Sequence, residues 1–272
     1  MAPITRRDRP SVFTIPAALP FADTLVAGLR AHHGGAPADW PAITLLVPNR
    51  RAVRAVTDAF LRAAGGRAAL LPRIRPLGDI DIDDLGFEDA ALAGALDLDI
   101  PPAIGELERQ LLLTRLVQRF EARRGDAPMV PGQAAKLAAA LARFIDQMAI
   151  EGLDPAGLDG LAPERFAAHW QQTLDFLAIV TREWPKVLAA RGQIDPAARR
   201  NRLLAAQQHA WTHTPPPDPV IAAGSTGSIP AVAALLATVA RLAHGAVILP
   251  GLDRDMDAQA WETVGDCHPQ GG

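Results

Sequence analysis

The segment Thr14–Leu25, TIPAALPFADTL, follows a short β-prone stretch and leads into an amphipathic helical pattern. A nucleotide-binding protein places its phosphate loop, G-x-x-x-x-G-K-[ST], at such a junction of strand and helix. Aligned with that template, the segment has Ala17 and Ala22 in place of the two glycines. Asp23 stands in place of the lysine, and Thr24 keeps the hydroxyl position. The segment therefore has the place of a phosphate loop without its side chains.

These replacements remove the chemistry on which ATP binding depends. The glycines let backbone N–H groups wrap the phosphates, and the lysine and hydroxyl serve the terminal phosphates and magnesium. Asp23 would instead set one negative charge against another. The magnesium carboxylate is expected at the end of a later strand, and the best positional candidate there is Ala223. Two losses at complementary places predict that this chain does not hydrolyse ATP. By itself, the segment also fits an ordinary strand–loop–helix joint.

A basic cluster, Pro48–Arg51 (PNRR), follows the apolar run Ala42–Val47 and opens a second helical pattern. Ligands of open α/β sheets bind at the carboxyl ends of strands, and helix N-termini favour anions. Arg50, Arg51 and Arg54 add positive charge there, and we therefore predict a contact to the phosphate backbone of a nucleic acid, in a sequence-independent and salt-sensitive way. A solvated helix face is the alternative interpretation.

A second candidate for anion binding is the turn Gly224–Ser228, GSTGS, which precedes another helical pattern. Ser225 and Thr226 offer hydroxyls, and the loop offers backbone N–H groups, as in an anion-binding nest. The nucleophile pattern G-x-S-x-G is not matched. Turn formation, with Ser228 as a helix cap, is the alternative interpretation.

Two groups of aspartates are interpreted as solvated turns. The first is Asp79, Asp81, Asp83 and Asp84, preceded by two arginines in the segment Leu70–Leu85; the second is Asp253, Asp255 and Asp257. Carboxylates at such spacing can bind a hard cation, but the calcium-loop pattern with its central glycine and closing glutamate is absent. The seven histidines show no metal-ligand spacing. We predict no metal site and no catalytic residues.

The composition argues against highly charged, disulfide-rich and membrane-spanning classes of protein. A net charge of -3 over 272 residues gives no general attraction to nucleic acid or membrane, so anion binding must come from local patches. The single cysteine, Cys267, excludes an intrachain disulfide framework and a multi-cysteine metal or iron–sulfur site. No apolar run reaches the roughly 18 residues that span a bilayer. We expect a soluble, cytoplasmic protein with no membrane partner.

The elements that must position these residues alternate between strand and helix at both ends of the chain. The expected strands are Val12–Ile15, Ala42–Val47, Val220–Ala223 and Ala246–Leu249. The expected helices are Phe21–His33, Arg50–Ala64, Ile104–Arg124, Pro131–Glu151, Pro163–Arg191 with a kink at Pro185, one opened by Asp195-Pro196, and Ile229–Leu242. The pattern predicts an α/β parallel-sheet domain formed by residues 1–100 and 214–272, interrupted by a large all-helical insertion at 101–213.

Eight segments spread in order from about Ser11 to Gln270 resemble the N-terminal region of the AddB family, in its alphaproteobacterial form. They are VFTIPAALPFADTLVAGL, TLLVPNRRAVRAVTDAFL, LLPRIRPLGDID, PAIGELERQLLL, HWQQTLDFLAIVTREWP, GQIDPAARRNRLL, VIAAGSTGSIPAVAALL and GAVILPGLDRDMD. AddB proteins are subunits of helicase–nucleases that process double-strand breaks for recombinational repair. The ordered series of segments carries the resemblance, rather than any single motif.

The resemblance implies a P-loop-NTPase-like, superfamily 1 helicase-like domain with a helical insertion. Related members have a true phosphate loop, so the departures at Ala17, Ala22, Asp23 and Ala223 imply an inactivated motor domain kept as a DNA-binding scaffold. The partner subunit AddA would supply the ATP-driven motor, and DNA ends and single-stranded DNA would be the ligands. PNRR matches the place where such helicases touch the single-stranded backbone, so the resemblance implies that Asn49, Arg50 and Arg51 contact DNA.

Family members are several times longer and end in a nuclease domain with metal-binding carboxylates and an iron–sulfur cluster. This chain is expected to be a fragment that lacks that domain, with neither the cluster nor magnesium of its own. Two other functions fit the residues. One is a structural module that docks a partner through the helices of 104–212, and the other is a small-molecule nucleotide-binding α/β protein.

Overall fold

The structure, a computed structural model, describes residues 9–33, 37–77, 100–124, 129–155, 157, 167–253 and 255–264. The chain divides into two compact units. The sheet unit consists of residues 1–98 and 204–272, and the helical unit consists of residues 99–203. No helix among the described residues is both long enough and apolar enough to cross a membrane.

The sheet unit contains five parallel strands, in the order β1-β5-β4-β2-β3. They are β1 Val12–Ile15, β2 Thr44–Val47, β3 Arg73–Pro76, β4 Val220–Ala223 and β5 Gly245–Pro250. The registers pair Thr44 with Val220 and Val220 with Gly245, so the strands of the early and late segments form one sheet. The prediction of a parallel α/β sheet is confirmed.

The sheet lies between helices packed on its two faces, as expected for strands that are apolar on both sides. The helices that lie wholly within the sheet unit include α1 Phe21–His33 and α2 Arg50–Ala64 from its early segment, and α8 Pro230–Val239 and α9 Ala258–Thr263 from its late segment. Side chains alternate along β4: Ile221 and Ala223 pack with α1 and α2, whereas Val220 and Ala222 pack with α8. The carboxyl ends of all five strands therefore emerge at one edge of this layered unit.

Most helices and strands have bounds close to those predicted from the sequence, but the strand β3 was not predicted. Residues 73–76, predicted as part of a solvated turn, pair with β2 in the register Thr44↔Arg73 to Val47↔Pro76. The local sequence RIRP gives a weak strand signal because only four residues form the strand and a proline ends it. A proline is tolerated there because β3 is an edge strand. The aspartates of residues 79–84 lie outside the described residues.

The helical unit is built from α3 Glu106–Arg124, α4 Pro131–Ile150, α5 Ala167–Ala178, α6 Trp184–Ala189 and the start of α7 Pro196–His213. Its core includes Leu113, Val117, Ala134, Ala138 and Trp184, each at most 2% exposed.

The kink predicted at Pro185 takes the form of a π-helical turn, Ile179–Glu183, between α5 and α6. Proline removes a backbone donor, and an inserted π turn is a common way to absorb such a break. The expected start of this helix at Pro163 lies outside the described residues.

Candidate functional site

The loops that follow β1, β2, β4 and β5 approach each other at the carboxyl edge of the sheet. A Cβ added at Gly224 would lie 3.2 Å from Cε1 of Phe21 and 3.6 Å from Cδ of Pro48. A Cβ added at Gly251 would lie 3.3 Å from Cβ of Ala17. The structure therefore brings the predicted nucleotide-loop, basic and hydroxyl segments to one edge.

The loop between β1 and α1 is a tight turn closed by its own backbone hydrogen bonds. The N–H of Leu19 donates to the carbonyl of Pro16 at 3.0 Å, and the N–H of Thr24 donates to the carbonyl of Pro20 at 3.0 Å. Both prolines lack an N–H group, and the donor of Leu19 is used inside the turn. Two of the positions whose amides wrap a phosphate in the template, Leu19 and Pro20, therefore cannot donate to one here.

Asp23, at the place of the template lysine, is bound to α2. Arg62 donates from Nε and Nη2 to Asp23 Oδ1, at 3.1 and 2.6 Å. Both side chains are about half exposed, so the pair contributes only about 0–1 kcal/mol to stability. The carboxylate thus joins the start of α1 to the end of α2.

An apolar ring occupies the space between the β1–α1 joint and the end of β4. Phe21, the first residue of α1, packs against the core cluster of the sheet and stands over Gly224. Gly224 has φ +80°, a backbone conformation that favours glycine. Ala223, at the place of the magnesium carboxylate, is 1% exposed within the same apolar cluster. Phe21, Ala223 and Gly224 carry no side-chain oxygen or nitrogen that could bind the magnesium of a nucleotide.

The joint between β2 and α2 has the opposite character. Asn49 caps α2 with extended backbone angles, and its Oδ1 accepts the N–H of Ala52 at 2.9 Å. The first turn of α2 carries no acid, and Arg50, Arg51 and Arg54 are exposed there. Helix N-termini present backbone N–H groups that have no partner within the helix. This joint therefore offers donors and positive charge to an anion.

The loop after β4 lies beside this helix start, because β2 and β4 are neighbouring strands that pair Leu46 with Ala222. Asn49 lies three residues after Leu46, and Ser225 lies three residues after Ala222. Thr226 is exposed, and the N–H of Gly227 makes a long 3.4 Å hydrogen bond to Ser225 Oγ.

The cap predicted at Ser228 is wrong. Ile229 occupies the N-cap position of α8 with extended backbone, and no side chain caps this helix. The reason is that Pro230 already takes the first helical position, where a backbone N–H is not needed.

The aspartates after β5 make local turns and a cap. Asp253 Oδ1 accepts the N–H groups of Asp255 and Met256, at 2.9 and 3.2 Å. Asp257 caps α9 by accepting the N–H of Ala260 at 2.7 Å. Across the described part of the chain, no group of three His, Cys, Asp or Glu side chains is arranged to hold a metal ion.

Sequence reasoning missed a buried ionic cluster in the helical unit. Arg109 donates to both carboxylate oxygens of Asp146 at 2.9 and 2.8 Å, and its Nε lies 2.8 Å from Asp195 Oδ1. Trp184 Nε1 donates to Asp195 Oδ2 at 2.9 Å. Burial raises the pKa of Asp195, and Arg109 and Trp184 partly oppose that rise. The predicted cap before Pro196 gave no signal of this cluster, since its members are far apart in sequence.

Comparison of the chain with protein-family models gives no match, and comparison with curated proteins gives none either. The resemblance to the AddB family therefore stays a prediction from the sequence.

Proposed function

We propose that this chain binds the phosphate backbone of single-stranded DNA without using ATP, at the carboxyl edge of its sheet. One observation carries the proposal. The N-terminus of α2, capped by Asn49, presents Arg50, Arg51 and Arg54 beside the hydroxyl-bearing loop after β4. Phosphate contacts of this kind fix a strand in place and carry no sequence information.

The charge distribution supports a phosphate ligand. The chain as a whole has a net charge of -3, so the three arginines of residues 50–54 give this helix start a positive charge that the whole chain does not have. They stand at a helix start whose N–H groups and dipole already favour an anion. Asn49 uses its side-chain oxygen for the cap, so we assign it a positioning role and give the phosphate contacts to Arg50 and Arg51. Ser225 and Thr226 would add hydroxyl donors from the adjacent loop.

The β1–α1 joint supports independence from ATP. The Leu19 amide donates to Pro16 within the turn, Phe21 lies against Gly224, and Asp23 pairs with Arg62. A chain with these features needs a separate motor to move along DNA. We therefore propose that it belongs to an AddB-type subunit and that its AddA partner supplies ATP-driven movement at DNA ends.

The finer fold assignment is part of the same proposal. We interpret the sheet unit as a P-loop-NTPase-like, helicase-like domain and the helical unit as an insertion within it. In support, residues 99–203 fall between β3 and β4 in sequence, while β2 pairs directly with β4. The nuclease chemistry, its magnesium and its iron–sulfur cluster would reside in other parts of the parent subunit.

The test is fluorescence anisotropy with labelled single-stranded DNA over a salt series, with and without Mg-ATP. We expect binding that weakens with salt and ignores Mg-ATP. In Arg50→Ala/Arg51→Ala, affinity should fall at least tenfold, and the slope of log affinity against log salt should become shallower by about 1.4 for two lost contacts.

The matched control is Arg115→Ala/Arg119→Ala, which removes the same charge from exposed positions on α3. It should bind nearly as the unchanged chain does. An equal loss in both variants would mean that general charge, rather than the α2 start, attracts DNA. No binding at low salt would reject the proposal, and tighter binding with Mg-ATP would reject ATP independence.

A further inference from the structure

The edge strand β1 exposes apolar side chains on both faces of the sheet. Val12 is 46% exposed and Phe13 is 59% exposed, and they point to opposite faces because side chains alternate along a strand. Leu19 and Leu252, close to the end of β1, are also exposed. Strands in parallel sheets are normally covered on both faces. The strand β1 thus has the side chains of an interior strand at an open edge.

The backbone of β1 also has one edge with which no strand of the described residues pairs. Val247 donates its N–H to the carbonyl of Ser11 at 2.9 Å, and Gly251 donates to Ile15 at 2.8 Å. In a parallel pair, alternate residues bond to the same neighbour, so the intervening Val12 and Thr14 direct their N–H and C=O groups away from β5. Among the described strands, β5 alone pairs with β1.

Prolines limit how another strand can pair with this edge. Pro10 and Pro16 occupy the next outward positions on either side, and neither has an N–H group to donate. Pairing is therefore restricted to the stretch Val12–Thr14. A restriction of this kind fixes one register.

We propose that β1 pairs with β1 of a second copy of this chain, antiparallel about a twofold axis. Val12 then exchanges two hydrogen bonds with Thr14 of the second copy, and the symmetry repeats the exchange. Phe13 stands opposite Phe13 of the second copy as a non-hydrogen-bonded pair, whose Cα atoms approach to about 4.5 Å. Aromatic pairs at such positions stabilise antiparallel strands.

Charge at the two ends of β1 favours the antiparallel orientation and hence a second copy. Arg9 precedes the strand, and Asp253 and Asp255 lie in the loop beyond its other end. That loop is held against β1, because the N–H of Leu252 donates to Thr14 Oγ1 at 3.0 Å. Antiparallel pairing sets Arg9 of each copy opposite the acidic loop of the other, whereas parallel pairing would set arginine beside arginine.

The first test is sedimentation velocity of the full chain over a concentration series. We expect a reversible species of twice the monomer mass of 28.8 kDa. Val12→Pro removes the outward N–H of residue 12 from each copy, so two of the four hydrogen bonds disappear while pairing with β5 keeps its donors. The dissociation constant should rise at least tenfold.

The matched control is Leu107→Glu on α3, where the leucine is 73% exposed. It removes an exposed apolar side chain elsewhere and should leave the dimer unchanged. A wild-type chain that stays monomeric at every concentration overturns the proposal, and points to a strand of a different polypeptide as the occupant of the edge. A dimer that persists in Val12→Pro and dissociates in Leu107→Glu overturns it as well.

The second test uses a cross-link and does not depend on the stability of the proline variant. Phe13→Cys in a Cys267→Ser background places one thiol next to the twofold axis, at a Cα separation that permits a disulfide. Mild oxidation should give a covalent dimer on a non-reducing gel. Leu61→Cys, exposed on α2, is the control and should remain monomeric. A dimer in solution with no cross-link through residue 13 would overturn the β1 pairing.

Discussion

Two strand–loop–helix joints lie at the same edge of the sheet, and they differ in what fills them. The β1–α1 joint is closed by a proline-bounded turn and by the ring of Phe21. The β2–α2 joint is open, with a capping Asn49 and exposed arginines. The comparison favours the start of α2 over the start of α1 as the candidate anion site, because arginines surround the first and an acid stands in the second.

The charges at the two helix starts sharpen this difference. Asp23 in the first turn of α1 is favourable to the helix dipole, whereas cations in the first turn of α2 oppose it. The helix α2 is stabilised by other means, including its Asn49 cap and a C-terminal Gly65 with φ +60° whose N–H donates to Arg62.

The largest effect is expected where a carboxylate is returned to the closed joint. Ala223→Asp buries an unpaired charge in the apolar cluster and should lower the free energy of unfolding by about 3–5 kcal/mol. Burial raises the pKa of the new carboxyl group, and its neutral form is less costly to bury than its charged form. The loss of stability should therefore become smaller as the pH falls. Urea unfolding at two pH values measures both.

Thr226→Asp is the control, because it adds the same group at an exposed position three residues later. It should change stability by less than about 0.5 kcal/mol. If Ala223→Asp were tolerated and bound magnesium, one substitution would be enough to restore metal binding at the β1–α1 joint. The contrast between the two joints would then fail.

The next effect separates function from stability at the open joint. Arg51→Glu should weaken binding to single-stranded DNA at least tenfold, and at the same time raise stability by about 0.5 kcal/mol, because an acid in the first turn favours the dipole. Anisotropy and urea unfolding of the same preparation measure the two changes. Arg119→Glu, late in α3, is the control and should change neither DNA affinity nor stability in this way. A loss of both affinity and stability would indicate a structural role for Arg51.

A smaller effect is expected from the cap. Asn49→Ala leaves the N–H of Ala52 without its partner and should cost about 1 kcal/mol of stability. DNA affinity should fall only severalfold, since the arginines remain and merely lose some order. Asn49→Asp, which keeps the capping oxygen, should retain stability and weaken DNA binding through its added negative charge. Equal affinities for the alanine variant and the wild type would remove Asn49 from the site.

Local patterns were sufficient for the elements that hold both joints. The strands β1 and β4 and the helices α1 and α2 follow from apolar periodicity, and their predicted bounds agree with the structure. The strand β3 escaped prediction because its pairing with β2, rather than its own residues, makes RIRP a strand.

Within the candidate site, the residue types alone were enough to see that Asp23 replaces the template lysine and Ala223 replaces the magnesium carboxylate. They could not predict that Phe21 fills the vacated space or that Asp23 bonds to Arg62, since both contacts join segments far apart in the chain. The same limit applies to the cluster of Arg109, Asp146 and Asp195.

The smallest effect tests whether the lysine alone would restore the closed joint. Asp23→Lys returns the template residue, but it exchanges an ion pair with Arg62 for a repulsion between two half-exposed cations. The expected cost is about 0.5–1 kcal/mol. Mg-ATP should give no thermal protection, because Leu19 and Pro20 still offer no amide and Phe21 still covers Gly224. Adding Arg62→Glu should recover the stability through the reversed pair, while nucleotide binding stays absent. Protection of Asp23→Lys by Mg-ATP would instead show that one side chain, and not the shape of the turn, separates the two joints.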